Sequence, residues 1–323
     1  MVRISDDGRR TARRAGRAAA ALAFCAWALI AVGALVRANG AGLSCPDWPL
    51  CTGRLVPSFD ARVALEWGHR LLAGSLSLGI AALAVAIAAR RELRARFGPR
   101  LVLLFALLGT QVVLGGLTVL LGLAPWTVTA HLCTGNLLAL ALAWLARDLL
   151  DAAGAREPAR SRLTAPGARL LWIVAGLVGL QIALGGLVSS HSAGLACAAF
   201  PTCDGDSLVP SVRGLVGLHV IHRLNAYAVA LGCSLLAWML RNAGPVARLA
   251  WTALRLVLVQ IAVGAANVLL QLPVELTALH SALAAAIALS VGLALRESLL
   301  SARATQESVA PGAVERHALG GAR

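Results

Sequence analysis

Long apolar stretches separated by short polar segments run along most of the chain. Each is close to the roughly 20 residues that an α-helix needs to cross the hydrocarbon core of a bilayer. In lipid, a spanning segment must satisfy its own backbone hydrogen bonds, which favours helices. The pattern therefore predicts eight transmembrane helices, at Ala18–Val36, Trp67–Ala89, Leu101–Leu123, Trp126–Ala146, Leu170–Val188, Leu215–Leu240, Leu249–Leu270 and Leu276–Leu295.

The apolar stretches form two sets of four that repeat the same landmarks. His69 and His131 of the first set correspond to His222 and His280 of the second. Because four is an even number, both halves have the same topology and are expected to be related by an axis along the membrane normal. The predicted fold is an all-α integral membrane protein, with eight transmembrane helices as two tandem, parallel-repeat four-helix bundles.

The distribution of charge predicts the orientation. The sequence is 59% hydrophobic and has a formal net charge of +14, but most arginines lie in alternate connections and at the two ends. The positive-inside rule therefore predicts a multi-pass plasma-membrane protein with both termini in the cytoplasm, and nucleic acid is not an expected partner. The predicted segments are a cytoplasmic basic N-terminus (1–17), a first four-helix half (18–146), a cytoplasmic linker (147–169), a second four-helix half (170–295) and a cytoplasmic polar tail (296–323).

Two pairs of cysteines lie in corresponding outer loops, Cys45 with Cys51 and Cys197 with Cys203. The predicted orientation places both pairs outside the cytoplasm, where disulfides form and persist. A pair at this spacing is typical of a disulfide within its own loop. A metal site of four cysteines, which requires the two loops to meet, and a redox-exchanging pair are the alternatives.

The histidines are the candidate ligands. His69, His131, His222 and His280 each lie a few residues into a span that begins on the outer side, so they are expected at similar depth. Two histidines from facing helices at one level are typical of axial haem ligation in a helical bundle. Two histidines without neighbouring thiolates or carboxylates are too few for zinc. The alternative is that they are buried residues hydrogen-bonded at helix contacts.

The two halves differ at one position beside these histidines. Glu66 lies one helical turn before His69, and His219 occupies the corresponding position before His222. A carboxylate near a haem edge transfers protons or stabilises cationic charge. The alternative for Glu66 is an interfacial residue that reaches water. His219 is expected to bond a neighbour or to face the lipid headgroups, and the alternative is that it competes with His222 for the same iron.

An arginine follows the histidine of each half, Arg70 in the first and Arg223 in the second. Each is expected to pair with an anionic haem propionate, because both halves keep it. The alternative is that its side chain snorkels to the lipid headgroups.

In combination, these motifs and the first outer loop, Gly-Leu-Ser-Cys-Pro-Asp-Trp-Pro-Leu-Cys, resemble the haem A synthase family from about residue 18 to about residue 295. The resemblance implies an enzyme that oxidises the C8 methyl of haem O to a formyl group by successive hydroxylations, for cytochrome c oxidase biogenesis. It also implies haem O synthase and an electron acceptor or donor as partners, in the lipid bilayer. A homo-oligomer is a further possibility.

The resemblance assigns a role to each candidate residue. Glu66 is implied as the catalytic residue, and the two cysteine pairs match the disulfide-bearing branch. His219 departs from the family pattern. The implied ligands are His69 and His131 for the substrate haem O, and His222 and His280 for the iron of a resident haem b.

Two other functions are compatible with parts of the pattern. A dihaem b-type, quinol-linked electron-transfer protein would use the histidine pairs but perform no chemistry on its haem. A transporter built from repeats would explain the duplication, but it leaves the histidines unexplained. Analysis of the haem product distinguishes the enzyme from the electron carrier.

Overall fold

The structure, a computed structural model, describes residues 4–155 and 163–309, with side chains only to 301 in the second range. These residues contain eight helices long and apolar enough to cross a membrane, as predicted. The helices are α1 (Asp6–Ala38), α2 (Ala61–Ala88), α3 (Arg91–Leu120), α4 (Pro125–Ala152), α5 (Ala165–Ser190), α6 (Gly214–Met239), α7 (Pro245–Leu269) and α8 (Val274–Val309).

Capping residues extend several helices beyond the predicted spans. The α1 helix begins at Asp6 because the hydroxyl of Ser5 accepts a hydrogen bond from the backbone N–H of Gly8 at 3.0 Å. Acidic residues in its first turn favour the positive end of the helix dipole. Asp60 caps α2 in the same way, and α4 and α7 begin with proline at their first position.

Helices α1, α4, α5 and α8 form the centre of the structure, with α2 and α3 on one flank and α6 and α7 on the other. Indole N–H groups join the two halves: Trp27 donates to the carbonyl of Ala282, and Trp144 to that of Gly292, both at 2.9 Å. Each set of four helices also has its own buried apolar cluster. The helices thus pack as two units in contact, and the parallel-repeat relationship between them stays a prediction.

The two buried clusters lie toward one side of the molecule. The ends of α2, α4 and α6 and the starts of α3, α5 and α7 lie on that side, here called the terminal side because α1 also begins there. The opposite side carries the long loops 39–60 and 191–213 and is called the loop side. The four candidate histidines lie between the clusters and the loop side, where the helices pack less closely.

A buried ion-pair network on the terminal side was not apparent from the sequence. Arg296, 3% exposed, donates from Nη2 to Asp148 Oδ1 at 2.6 Å and also pairs with Asp151. Arg100 Nε reaches the other oxygen of Asp148 at 2.6 Å. The network therefore joins α3, α4 and α8, and it includes the first residue of the predicted polar tail, because α8 continues past that point.

Candidate haem sites

Each candidate histidine packs against a glycine of the helix that precedes it in sequence. A Cβ atom added at these glycines would lie only 3.1–3.3 Å from the histidine Cε1, closer than ordinary van der Waals contact. Glycine is therefore what allows each imidazole to lie flush against the neighbouring helix. The pairs are Gly33 with His69, Gly115 with His131, Gly185 with His222 and Gly264 with His280.

The four imidazoles form one pair in each half. His69 lies near His131, and His222 lies near His280, although the members of each pair lie on different helices. All four side chains lie within membrane-spanning helices. The structure thus brings together the residues that the sequence pattern pairs.

Three of the four rings have a buried nitrogen that the described residues leave without a partner. The Nδ1 atoms of His69, His131 and His280 are buried and have no hydrogen-bond partner. An unsatisfied buried nitrogen costs about 1–3 kcal/mol, so each of these atoms calls for a partner that the described residues do not supply. Within the described residues, no group of three or more His, Cys, Asp or Glu is placed to hold a bare metal ion. Two imidazoles per site instead fit an iron already held by a porphyrin.

One glutamine lies beside each of three of the four histidines. Gln111 Nε2 lies 3.3 Å from His131 Nε2, and Gln181 Nε2 lies 3.2 Å from His222 Nδ1. Gln260 donates to the backbone carbonyl of the third histidine, His280, at 3.0 Å. Each glutamine precedes its glycine by four residues, a recurrence that the sequence shows but that does not reveal histidine as the partner.

For the fourth histidine, the sequence position equivalent to the glutamine is apolar. Four residues before Gly33, α1 carries Leu29. His69 is therefore the one ring of the four without a glutamine at the equivalent place.

Glu66 is buried beneath the first cysteine loop. Its side chain is 5% exposed, so it does not reach water as an interfacial residue would. Its Oε1 accepts from Arg70 Nη2 at 2.5 Å, and its Oε2 accepts from the backbone N–H of Cys45 at 2.8 Å. The carboxylate thus connects α2 to the loop one helical turn from His69.

Arg70 holds the same loop by its backbone. Its Nη1 donates to the carbonyls of Asp47 and Leu50, and its Nη2 donates to the carbonyl of Cys45, at 2.6–2.8 Å. With the bond to Glu66, all four Nη protons are used and only the Nε proton remains. The predicted propionate role of Arg70 stays a prediction, and the described contacts add a role in holding the loop.

The second half repeats this arrangement without the ion pair. Arg223 donates to the carbonyls of Cys197, Ala199 and Thr202, each at 3.0 Å. His219, 5% exposed, occupies the place of the glutamate and accepts from the backbone N–H of Cys197 through Nδ1 at 3.4 Å. An imidazole thus replaces a carboxylate as the acceptor for the loop, and this contact turns Nδ1 of His219 toward the loop.

Each loop is closed by its own disulfide. Cys45 is bonded to Cys51 and Cys197 to Cys203, with Cα–Cα distances of 4.6 and 4.3 Å. The pairing lies within each loop, in contrast to the alternative of a shared four-sulfur site.

An aspartate orders each loop. Asp47 accepts from the backbone N–H groups of Thr52 and Gly53 at 2.6 and 2.7 Å, and the bond from Gly53 is the main reason that its pKa lies below the usual 3.8. Asp204 has the same role in the second loop, where the N–H groups of Ser207 and Asp206 lower its pKa. Both carboxylates therefore stay ionised, and the turns stay capped, at neutral pH.

The model of a protein family described as "Cytochrome oxidase assembly protein" matches residues 17–291, which include all four histidines, Glu66 and both disulfides. The chain belongs to this family. Similar proteins, each named "Heme A synthase", occur in Methylobacterium radiotolerans (32% identity, 80% of this chain and 83% of the relative) and in Methylobacterium sp. strain 4-46 (33%, 76% and 81%). A third, with the same name, is from Shewanella oneidensis (28%, 81% and 90%).

The matched residues also make contacts that the sequence pattern did not reveal. These contacts are the packing of each histidine on a glycine, the glutamines beside three of the histidines, and the hydrogen bonds from Arg70 and Arg223 to backbone carbonyls. The spacing of Gln111 and Gly115, which recurs in α5 and α7, was the one available signal for the first two. Every residue has a backbone carbonyl, so the sequence could not indicate which carbonyls accept the hydrogen bonds of the arginines.

Proposed function

We propose that this protein is a haem A synthase, an integral membrane enzyme that oxidises the C8 methyl of haem O to a formyl group by successive hydroxylations. The observation that carries the proposal is the asymmetry between two otherwise matched sites: both have a histidine pair, and only one has a buried carboxylate beside it. The names of the relatives in the same family support it. A pure electron carrier gives no reason for the carboxylate.

We assign His69 and His131 to the substrate haem O, and His222 and His280 to a resident haem b. The unpartnered Nδ1 atoms and the glycine contacts support a planar ligand between the helices of each pair. When bound, the haems supply the redox chemistry. The chain's own part is to fix the imidazoles, orient the substrate methyl and exclude water.

Glu66 is the proposed catalytic carboxylate. Paired with Arg70, this carboxylate would accept a proton or stabilise positive charge as the methyl carbon is oxidised. Its second bond, from Cys45, fixes the carboxylate against the loop so that it needs little reorganisation during the reaction.

Arg70 and Arg223 keep a proposed role in binding the propionates. The propionates would be bound by the N–H groups that are not already bonded to the loops or to Glu66. These are Nε of Arg70, and Nε together with one Nη2 proton of Arg223.

The proposed orientation follows from the arginines. Both termini are placed in the cytoplasm of a plasma-membrane protein, with the haem sites toward the outer side. The proposed partners are haem O synthase, an electron acceptor or donor, and a second copy of the chain.

Haem extraction followed by mass analysis tests the function. The protein is expressed with and without a source of haem O, and the extracted haems are identified by mass. We expect haem A, with hydroxylated intermediates, only when haem O is supplied. Recovery of haem O unchanged from a protein that contains intact haem b would instead support the dihaem electron carrier.

A further inference from the structure

A basic cavity opens on the terminal side of the second half, away from the haem sites. It has a volume of about 500 Å³ and lies where α6 ends and α7 begins. The lining residues include three arginines and no carboxylate. They are Arg241, Asn242, Gly244, Ala247, Arg248, Trp251, Thr252 and Arg255.

None of these three arginines has an acidic partner among the described residues. Arg241 stacks over the ring of Trp238, with 5.5 Å from Cζ to the ring centroid, and donates to its carbonyl at 3.0 Å. Arg248 and Arg255 form no ion pair with any part of the chain that the structure describes, and both are exposed. The cavity therefore concentrates positive charge that the described protein does not neutralise.

In the first half, two arginines on the same side form ion pairs. Arg100, near the corresponding position of α3, pairs with Asp148 at 2.6 Å, and Arg90 pairs with Asp7 at 2.6 Å. In the second half, Glu297 corresponds to Asp148 but is bonded to Arg296 at 3.0 Å. The three arginines of the cavity thus lack, among the described residues, the acidic partners that Arg90 and Arg100 have in the first half.

The positions of the arginines along α7 limit which groups can neutralise their charge. Arg248, Trp251, Thr252 and Arg255 follow the i, i+3, i+4, i+7 pattern of one helix face. Arg255 lies about 15 Å along the axis from Pro245, within a helix that spans the membrane. An exposed arginine at such a depth extends toward the headgroups, and the exposed indole of Trp251 is typical of the same interface.

We propose that this cavity binds the phosphate headgroup of an anionic phospholipid from the leaflet on the terminal side. Arg241, Arg248 and Arg255 would contact the phosphate, and the acyl chains would lie along the apolar lipid-facing surface of α7. The first turn of α7 adds N–H groups, because Gly244 provides no side-chain cap. Basic pockets between transmembrane helices are known sites for anionic headgroups.

The test measures lipid retention by native mass spectrometry. The haem-loaded protein is placed in nanodiscs of phosphatidylcholine with or without phosphatidylglycerol, released, and weighed with its bound lipids. The double variant Arg248→Gln, Arg255→Gln is compared with the control Arg91→Gln, Arg94→Gln, which removes the same charge from exposed positions on the same side.

We expect wild type and the control to retain phosphatidylglycerol, and the cavity variant to retain it about 30-fold more weakly. Unchanged haem content would show that the cavity variant is folded. Equal loss in both double variants would overturn the proposal in favour of general surface charge. Retention that inorganic phosphate abolishes at matched ionic strength would overturn it in favour of a soluble anion.

Discussion

Substitution of Gly264 by alanine tests whether the glycine contacts fix the haem ligands. The added Cβ would lie 3.1 Å from Cε1 of His280, whereas contacting carbon atoms prefer about 3.5–4.0 Å. The ring must therefore move by about 0.5 Å or leave its preferred rotamer, which costs about 1 kcal/mol. That cost corresponds to about fivefold weaker haem b binding.

The assay is a titration of the haem-depleted protein with haem b, followed by its Soret absorbance, with thermal unfolding measured in parallel. Alanine has a higher helix propensity than glycine by about 1 kcal/mol, so the apoprotein should not lose stability. Gly179→Ala is the matched control, because nothing lies within 4 Å of a Cβ at that position. Equal haem b affinity in the two variants would refute the idea that the glycine surface fixes His280.

Four further predictions test other parts of the structure. Glu66→Gln should keep haem b but stop the conversion of haem O, since the amide retains the shape but cannot ionise; normal haem A yield in extracts would contradict this. His222→Ala should remove the low-spin haem b spectrum, and an unchanged spectrum would disprove its assignment. Cys45→Ser should reduce haem A formation more than Cys197→Ser, because the first loop covers Glu66; the reverse order in the same assay would disprove this. Asp148→Asn should lower the free energy of unfolding by about 1.5–3 kcal/mol, because it weakens the bonds from Arg296 and Arg100 while Asp151 and Glu297 still pair with Arg296; a denaturant titration that finds no change would show the network to be dispensable.

Much of the fold could be predicted because a bilayer permits few alternatives. Apolar length indicated all eight spans, since unpaired backbone is excluded from lipid. The ends were less predictable: Ser5 begins α1 well before the apolar residues start, because a cap needs only one hydroxyl and no hydrophobicity. The burial of Arg296 was also hidden, since its partners Asp148 and Asp151 lie on a different helix of the other half.

The candidate site was predictable to a similar degree. The repeat identified the histidines and Glu66, because chemistry-bearing residues are rare in apolar spans. The bonds of Arg70 could not be inferred, since its acceptors are carbonyls whose positions depend on the folded loop. The sequence left open whether His219 bonds a neighbour, faces the headgroups or competes as a ligand, and its contact with Cys197 depends on the folded position of the loop.

The unequal polar surroundings of the four imidazoles bear on how long each haem stays bound. In the second half, Gln181 lies against His222 and is itself held by Asn225 at 2.7 Å, while Gln260 binds the backbone of His280. For His69, the equivalent position of α1 is Leu29. An enzyme that modifies one haem with the help of another must release the first after every turnover and retain the second through many. On the proposed assignment, the ring without an amide neighbour belongs to the haem that must leave, so the two halves would differ in residence time as well as in chemistry.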